Sequence, residues 1–261
     1  MTNDQRPTTK DEGRRTKDQR RRTKDQRPTT KDEGPTIKDQ RRTLDPALIV
    51  SILIVVAMFA LSLWAWVQLP AGAQIPVHWG PSGEPDRYGG KGMGLMLMPT
   101  IAAGLVILFE IIPQVEPRRE NILRSRQAYN AVRLGLLLFL LGMHVVAVMA
   151  ALGVTLNMSL FVSVGMGLLM IVIGSYLGKV RSNYMFGIRT PWTLSSDLSW
   201  GKTHRLGGWL FILSGLLTIL SGIVTPTWSV WVLLITILGS TLIVIVYSYQ
   251  IWKHDPTIND R

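Results

Sequence analysis

The run ALIVSILIVVAMFALSLWAWVQL, residues 47–69, contains no charged residue. A hydrocarbon core of about 30 Å takes about 20 residues of helix to cross. Lipid offers backbone amides no partner, so a run this long and apolar is expected to be a helix spanning a membrane. Basic residues precede it and Ala71-Gly72-Ala73 follows, as in a cleaved leader. The run exceeds a leader's apolar core and lies behind a long polar stretch, which predicts a retained helix.

Working outward, five further runs meet the same length requirement: 92–113, 131–153, 158–178, 207–225 and 228–250. The chain is 47% hydrophobic yet carries a net charge of +11. The two properties coexist because they are segregated along the chain. The expected fold is an all-α integral membrane protein with six transmembrane helices. Cysteine is absent, which excludes disulfides, thiolate metal sites and a cysteine nucleophile.

The charge does not indicate nucleic acid. Residues 1–46 hold 14 Lys+Arg against 9 Asp+Glu, a net +5, and the rest of the chain carries +6. Beyond the tail, basic residues cluster after the second, fourth and sixth spans: Arg118, Arg119, Arg124, Arg126 and Arg133; Lys179, Arg181, Arg189, Lys202 and Arg205; Lys253 and Arg261. The opposite side has only Arg87 and Lys91. The positive-inside bias then places both termini in the cytoplasm. No direct nucleic-acid binding is expected.

Three regions are expected. Residues 1–46 form a charged heptapeptide-repeat tail, with units such as TKDEGRR and TKDQRRR across 2–43. No heptad position is apolar and Pro and Gly recur, which rules out a coiled coil and gives the composition of disorder. Attraction to anionic lipid is its functional reading, weakened by the interleaved acids. Residues 47–128 hold the first two spans and an ordered extracellular loop, 74–91. Residues 129–261 hold four spans and a cytoplasmic loop, 179–206.

In the outer loop, Gly80-Pro81-Ser82-Gly83 suits a type I turn. Pro76 and Pro85 push their predecessors into extended geometry. His78 and Asp86 are expected to hydrogen-bond within the loop. With Glu84 they match no metal-ligand spacing, so no metal site is assigned. In the inner loop, Gly187 breaks the chain and Thr190-Pro191 extends it. Ser195 or Ser196 then caps a short helix running to about Arg205, before Gly207-Gly208 opens the fifth span. Its Leu198, Trp200 and Leu206, with Trp192 before it, are expected at the lipid headgroups.

Few groups inside the spans carry chemistry. His144 is ionisable at mid-membrane depth, a functional position by default, although a neutral imidazole also bonds neighbouring helices. Glu110 is expected to snorkel or to pair with Arg118. Ser195, Asp197 and His204 are triad residue types, but nothing supplies a nucleophile elbow or oxyanion hole, and the triad is rejected. Gly208, Gly215 and Gly222 repeat along span five, and Gly174 and Gly178 along span four. Such stripes allow close helix packing, dimerisation being the other use. No cofactor and no enzyme activity are expected, and no oligomeric state is fixed.

The stretch RSNYMFGIRTPWTLSSDLSWGKTHRLGGWLF, 181–211, resembles the signature of the SdpI family of bacterial membrane proteins. The matching residues are Asn183, Tyr184, Gly187, Ile188, Arg189, Thr190, Pro191, Trp192, Thr193, Leu194 and Ser195, then Trp200, Lys202, Thr203, His204 and Arg205. The outer loop IPVHWGPSGEPDRYGGK is similar to a domain of unknown function often found ahead of that signature. The resemblance implies a multi-pass plasma-membrane protein giving immunity against a secreted toxic peptide. It also implies a signalling role, in which the protein holds a small winged-helix autorepressor at the membrane. On that reading His78, Trp79, Gly83, Pro85, Asp86 and Tyr88 face the peptide outside, and the signature loop meets the repressor inside. Other functions compatible with the residues are a small-solute or proton-linked transporter using His144 and a non-catalytic assembly protein. Function lives in sites rather than folds, so membership transfers more safely than activity.

Overall fold

The computed structural model describes residues 45–80, 83–154 and 156–259. The heptapeptide tail lies outside the described residues except for its last two positions. Asp45–Arg261 is one compact unit.

Its elements are α1 (Pro46–Gln68), β1 (Gln74–Trp79), β2 (Pro85–Gly90), α2 (Lys91–Val115), α3 (Arg119–Arg124), α4 (Arg126–Ala151), α5 (Met158–Leu177), α6 (Pro191–Ser195), α7 (Asp197–Val224), a single 3₁₀ turn (Pro226–Trp228), α8 (Ser229–Lys253) and α9 (Pro256–Asn259). Among the described residues, six helices are long and apolar enough to cross a membrane: α1, α2, α4, α5, α7, and α8 with the 3₁₀ turn before it. The chain is therefore a multi-pass membrane protein, as its apolar runs require. Many of the large side chains of these helices are exposed, Leu53, Ile107, Leu138, Trp209 and Leu238 among them. Apolar side chains on the outer surface of a bundle suit lipid rather than water.

Helix α1 packs on α2 and α4, and α4 continues the contact to α5, which packs on α7, and α7 on α8. The α5–α7 contact is the most intimate. A methyl group placed on Gly174 would meet the Gly208 carbonyl oxygen at 2.5 Å, and one on Gly215 would meet the Gly167 carbonyl at 2.5 Å. One on Gly222 would meet the Ser163 side chain at 2.4 Å. The small residues at 208, 215 and 222 thus let two backbones touch over two heptads, the route by which helices associate in lipid without a hydrophobic driving force. The stripe is consumed within the chain.

The loop between α1 and α2 is more regular than turn chemistry alone foretells. Its two arms pair as an antiparallel hairpin, Gln74 opposite Gly90, Pro76 opposite Tyr88 and Trp79 opposite Pro85, with register shifts around His78. The Gly83 N–H donates to the Gly80 carbonyl at 2.9 Å, while Pro81 and Ser82, the middle of the expected turn, lie outside the described residues. Ile75 anchors the hairpin. It is fully buried among Ala65, Leu69, Leu95 and Val148.

Three local expectations need correction. First, α7 runs without a break from Asp197 through Gly207-Gly208, and a separate short helix, α6, precedes it. The glycines pack against α5 instead of interrupting the helix, and Ser196, whose side chain accepts from the Ser199 N–H, is the true start. Second, Trp200 is not at the headgroups. It is buried, and its indole N–H donates to the Val180 carbonyl at 2.7 Å. Third, Glu110 does not pair with Arg118. Its partner is Arg133, whose Nη1 donates to Glu110 Oε1 at 2.5 Å.

Arg133 sits in the third turn of α4, only 2% exposed, and is also 3.5 Å from Asp45. Asp45 in turn accepts from the Ala47 N–H as the N-cap of α1 and from Asn130, and pairs with Arg126 at 3.2 Å. Burial works against the charged form of Asp45. The Ala47 amide, Asn130 and Arg126 outweigh it and hold the carboxyl below its usual range. A buried arginine is tolerated because carboxylates from two other helices face it.

Candidate functional site

The signature loop lies at the end of the bundle opposite the hairpin and joins α5 to α7. Its shape follows from a few side chains that take over backbone hydrogen bonds. Asn183 is fully buried and uses both ends of its amide. Nδ2 donates to the carbonyls of Arg181 (2.9 Å) and Phe186 (3.0 Å), and Oδ1 accepts from the N–H groups of Met185 (2.9 Å) and Phe186 (2.6 Å). One side chain thus folds residues 181–186 into a closed turn, the local competition at which Asn excels.

Gly187 follows with φ +114, a conformation L-residues avoid. A methyl group there would meet His204 Nε2 at 2.5 Å. That approach brings the next amide onto the imidazole: the Ile188 N–H donates to His204 Nε2 at 2.9 Å. His204 Nδ1 must then carry the proton that it shares with the Trp200 carbonyl at 2.9 Å. The ring stacks on Trp200 with centroids 4.0 Å apart. Both nitrogens are engaged by backbone groups, so Ser195 and Asp197 are not its partners. Ser195 Oγ instead donates to the Pro191 carbonyl at 2.8 Å.

Thr190 and Thr193 form a reciprocal capping box at the start of α6, with Pro191 at its first position. Thr190 Oγ1 also lies 3.1 Å from Ser248 Oγ, and Ser199 Oγ donates to the Ser248 carbonyl at 2.8 Å, fastening the loop to α8. Ser196 caps α7 and donates to Asp255 beyond the end of α8. The hydrogen bond from Ser196, followed by that from Thr257, holds the Asp255 carboxyl below its usual range.

The other wall comes from residues that the motif does not contain. The buried Glu116 carboxylate accepts from the Tyr184 N–H at 3.1 Å and from the Arg118 N–H at 2.9 Å. Arg118 donates to Ser182 Oγ and to the Tyr184 hydroxyl, and its guanidinium lies 4.6 Å from the Tyr184 ring centroid. Asn121 donates to the Ser182 carbonyl at 2.6 Å, and Ser125 Oγ accepts from the Arg181 N–H at 2.8 Å. No spacing rule in the sequence links 116–125 to 181–184. The proximity of EPRRENILRS to the end of the second span was the only signal.

The sequence-selected loop residues therefore divide into two groups. Asn183, Thr190, Trp200 and His204 are buried and build the loop, and Gly187 supplies its bend. Tyr184, Arg189, Pro191, Ser195, Lys202 and Arg205 are exposed. Arg189 spends part of its guanidinium on the Tyr184 carbonyl. Trp192 is half-buried, edge-on to Tyr249 at 5.3 Å.

At the hairpin end, His78 Nδ1 and Asp86 Oδ1 are 2.5 Å apart across the strands, both more than half exposed. Tyr88 is exposed, and Trp79, Gly83 and Pro85 are half-buried. His144 belongs to neither end. Ser62 Oγ gives its proton to the Leu95 carbonyl at 2.7 Å, so His144 Nε2 is the donor toward Ser62 Oγ (3.0 Å) and the Met58 carbonyl (3.2 Å). His144 Nδ1 has no partner among the described residues. This geometry ties α4 to α1 and α2.

Comparison with known proteins matches this end of the bundle directly. Residues 179–248, the loop with α6, α7 and most of α8, match the SdpI/YfhL protein family. Residues 53–103, from α1 through the hairpin into α2, match a domain of unknown function (DUF1648). The chain is 22% identical over 205 residues to the Immunity protein SdpI of Bacillus subtilis (strain 168), covering 78% of this chain and 95% of that protein. No solved structure matches the chain. The SdpI/YfhL match begins at Lys179, just past the end of α5. It contains the residues that shape the loop but omits Glu116, Arg118 and Asn121, which brace it.

Proposed function

We propose that this protein is a non-catalytic immunity protein of the bacterial plasma membrane, protecting its cell against a secreted toxic peptide. The observation that carries the reading is the similarity to the Immunity protein SdpI, which runs through both the hairpin region and the signature region. On this reading the hairpin faces outward and its exposed His78, Asp86 and Tyr88 meet the peptide. The signature loop faces the cytoplasm, in keeping with the clustering of basic residues at that end. There the exposed Tyr184, Arg189, Lys202 and Arg205 hold a small winged-helix repressor. Peptide controls the repressor only if it binds two states of the bundle unequally.

The immunity arm is tested by expressing the protein in a toxin-sensitive host and challenging the cells. Survival is expected, and killing equal to that of cells without the protein overturns it. The signalling arm is tested by membrane recruitment of the repressor. Lys202→Ala with Arg205→Ala is expected to abolish recruitment at normal membrane abundance, and retained recruitment refutes this contact surface.

A further inference from the structure

The end of the bundle that carries the signature loop holds a cluster of cations that the proposed function does not use. Arg124 from the end of α3, with Lys179 and Arg181 just past α5, lines a cavity of about 600 Å³ completed by Asn121 and Gly201. Asp197 is the one acid in its wall. Among the described residues none of the three basic groups lies within salt-bridge distance of a carboxylate. Lys179 rests over the Tyr176 ring at 4.7 Å, which orients its ammonium without neutralising it.

A second, apolar cavity of about 240 Å³ adjoins it. Its lining includes Val132 of α4, Ile173 and Tyr176 of α5, Phe186 of the loop and Phe211 of α7. Val180 lines both cavities, and Tyr176, in the apolar one, carries the Lys179 ammonium that lines the basic one. The order along the helices matters. The apolar residues from α4, α5 and α7 lie inside apolar spans, whereas the three cations lie at or beyond helix ends. Positive charge at the membrane surface leading into an apolar slot between spans has the polarity of a phospholipid. A soluble anion has no use for the slot, and a neutral lipid has no use for three unneutralised cations.

We propose that these two cavities form one binding site for an anionic phospholipid, with the headgroup phosphate among Arg124, Lys179 and Arg181 and an acyl chain against Ile173, Phe186 and Phe211. Basic groups near a membrane surface attract anionic lipid, and arginine matches phosphate geometry in two directions at once. The bound lipid would lie directly beneath the loop that Asn183 and His204 shape, stabilising it from the bilayer side.

The test uses the full-length protein in detergent and follows thermal unfolding during titration with short-chain phosphatidylglycerol. Short-chain phosphatidylcholine and inorganic phosphate serve as the other arms. Phosphatidylglycerol is expected to raise the midpoint saturably, and the other two are expected not to. The variant R124Q/K179Q/R181Q is expected to weaken the response about a hundredfold, while R119Q/K202Q/R205Q leaves it intact. The three altered side chains donate no hydrogen bond recorded among the described residues, so folding is expected to survive. If the triple variant responds like the unaltered protein, or inorganic phosphate matches phosphatidylglycerol, the site is wrong. Equal losses in both triple variants would reduce the effect to net charge and also overturn it.

Discussion

Gly215→Ala adds one methyl group at the tightest part of the molecule. The new carbon would stand 2.5 Å from the Gly167 carbonyl oxygen, 2.9 Å from Ile171 and 3.2 Å from Met170. The first neighbour is backbone and cannot rotate away, so α7 must move off α5 by several tenths of an ångström. Overpacking of this kind costs about 2 kcal/mol. The same change recovers about 1 kcal/mol of helix propensity, for a net loss of about 1 kcal/mol. Gly239→Ala on α8 is the matched control, since nothing lies within 4 Å of the added methyl. It keeps the gain of about 1 kcal/mol without the clash. The two variants are thus expected to differ by about 2 kcal/mol, or about 4–8 °C in unfolding midpoint for a chain of this size. Thermal unfolding in a fixed detergent measures it. Equal midpoints, or Gly239→Ala the less stable, would refute the claim that the stripe is a backbone contact between α5 and α7.

Three other outcomes follow from the same structure. His204→Ala strands the Ile188 N–H, at a cost of about 1–3 kcal/mol, and should speed tryptic cleavage at Arg181 and Arg189. An unchanged cleavage rate would remove His204 from the loop's support. Asp255 has a folded value held below its ordinary 3.8, chiefly by Ser196, so its contribution to stability is complete above that value and is lost as pH falls through the lower folded one. Hydrogen exchange in α9 should therefore rise on acidification below about pH 4, and Asp255→Asn should erase that dependence. Arg133→Met leaves Glu110 and Asp45 facing each other and should destabilise by about 2–3 kcal/mol, tempered by the partial exposure of Glu110. Arg133→Met with Glu110→Met should recover part of that loss in the same unfolding assay, and a fully additive loss would show that the two do not interact.

The spans were legible because a membrane imposes one length and one hydrogen-bonding solution, so 47–69 alone suffices to set the class. The His78–Asp86 pair was legible because it is local. The hairpin was not, since QIPVHW carries a proline in mid-run and PDRYGG does not alternate apolar with polar residues, and its pairing depends on Ile75 finding a slot between α1, α2 and α4. Arg133 read as a boundary charge because a sequence shows only its neighbours along the chain. The carboxylates that make its burial tolerable come from 23 and 88 positions away. Trp200 misled for a similar reason. Tryptophan beside a membrane-like run is a fair sign of the interface, but the Val180 carbonyl that holds its indole is supplied by the folded loop.

The closed turn around Asn183 has a consequence for association. A loop whose amides are already occupied by Asn183, Glu116 and His204 has met its ordering cost during folding. A partner docking there encounters a rigid surface, so little conformational entropy is left to lose on binding. The exposed Tyr184, Arg189, Lys202 and Arg205 are held by those anchors in one fixed arrangement before any partner arrives.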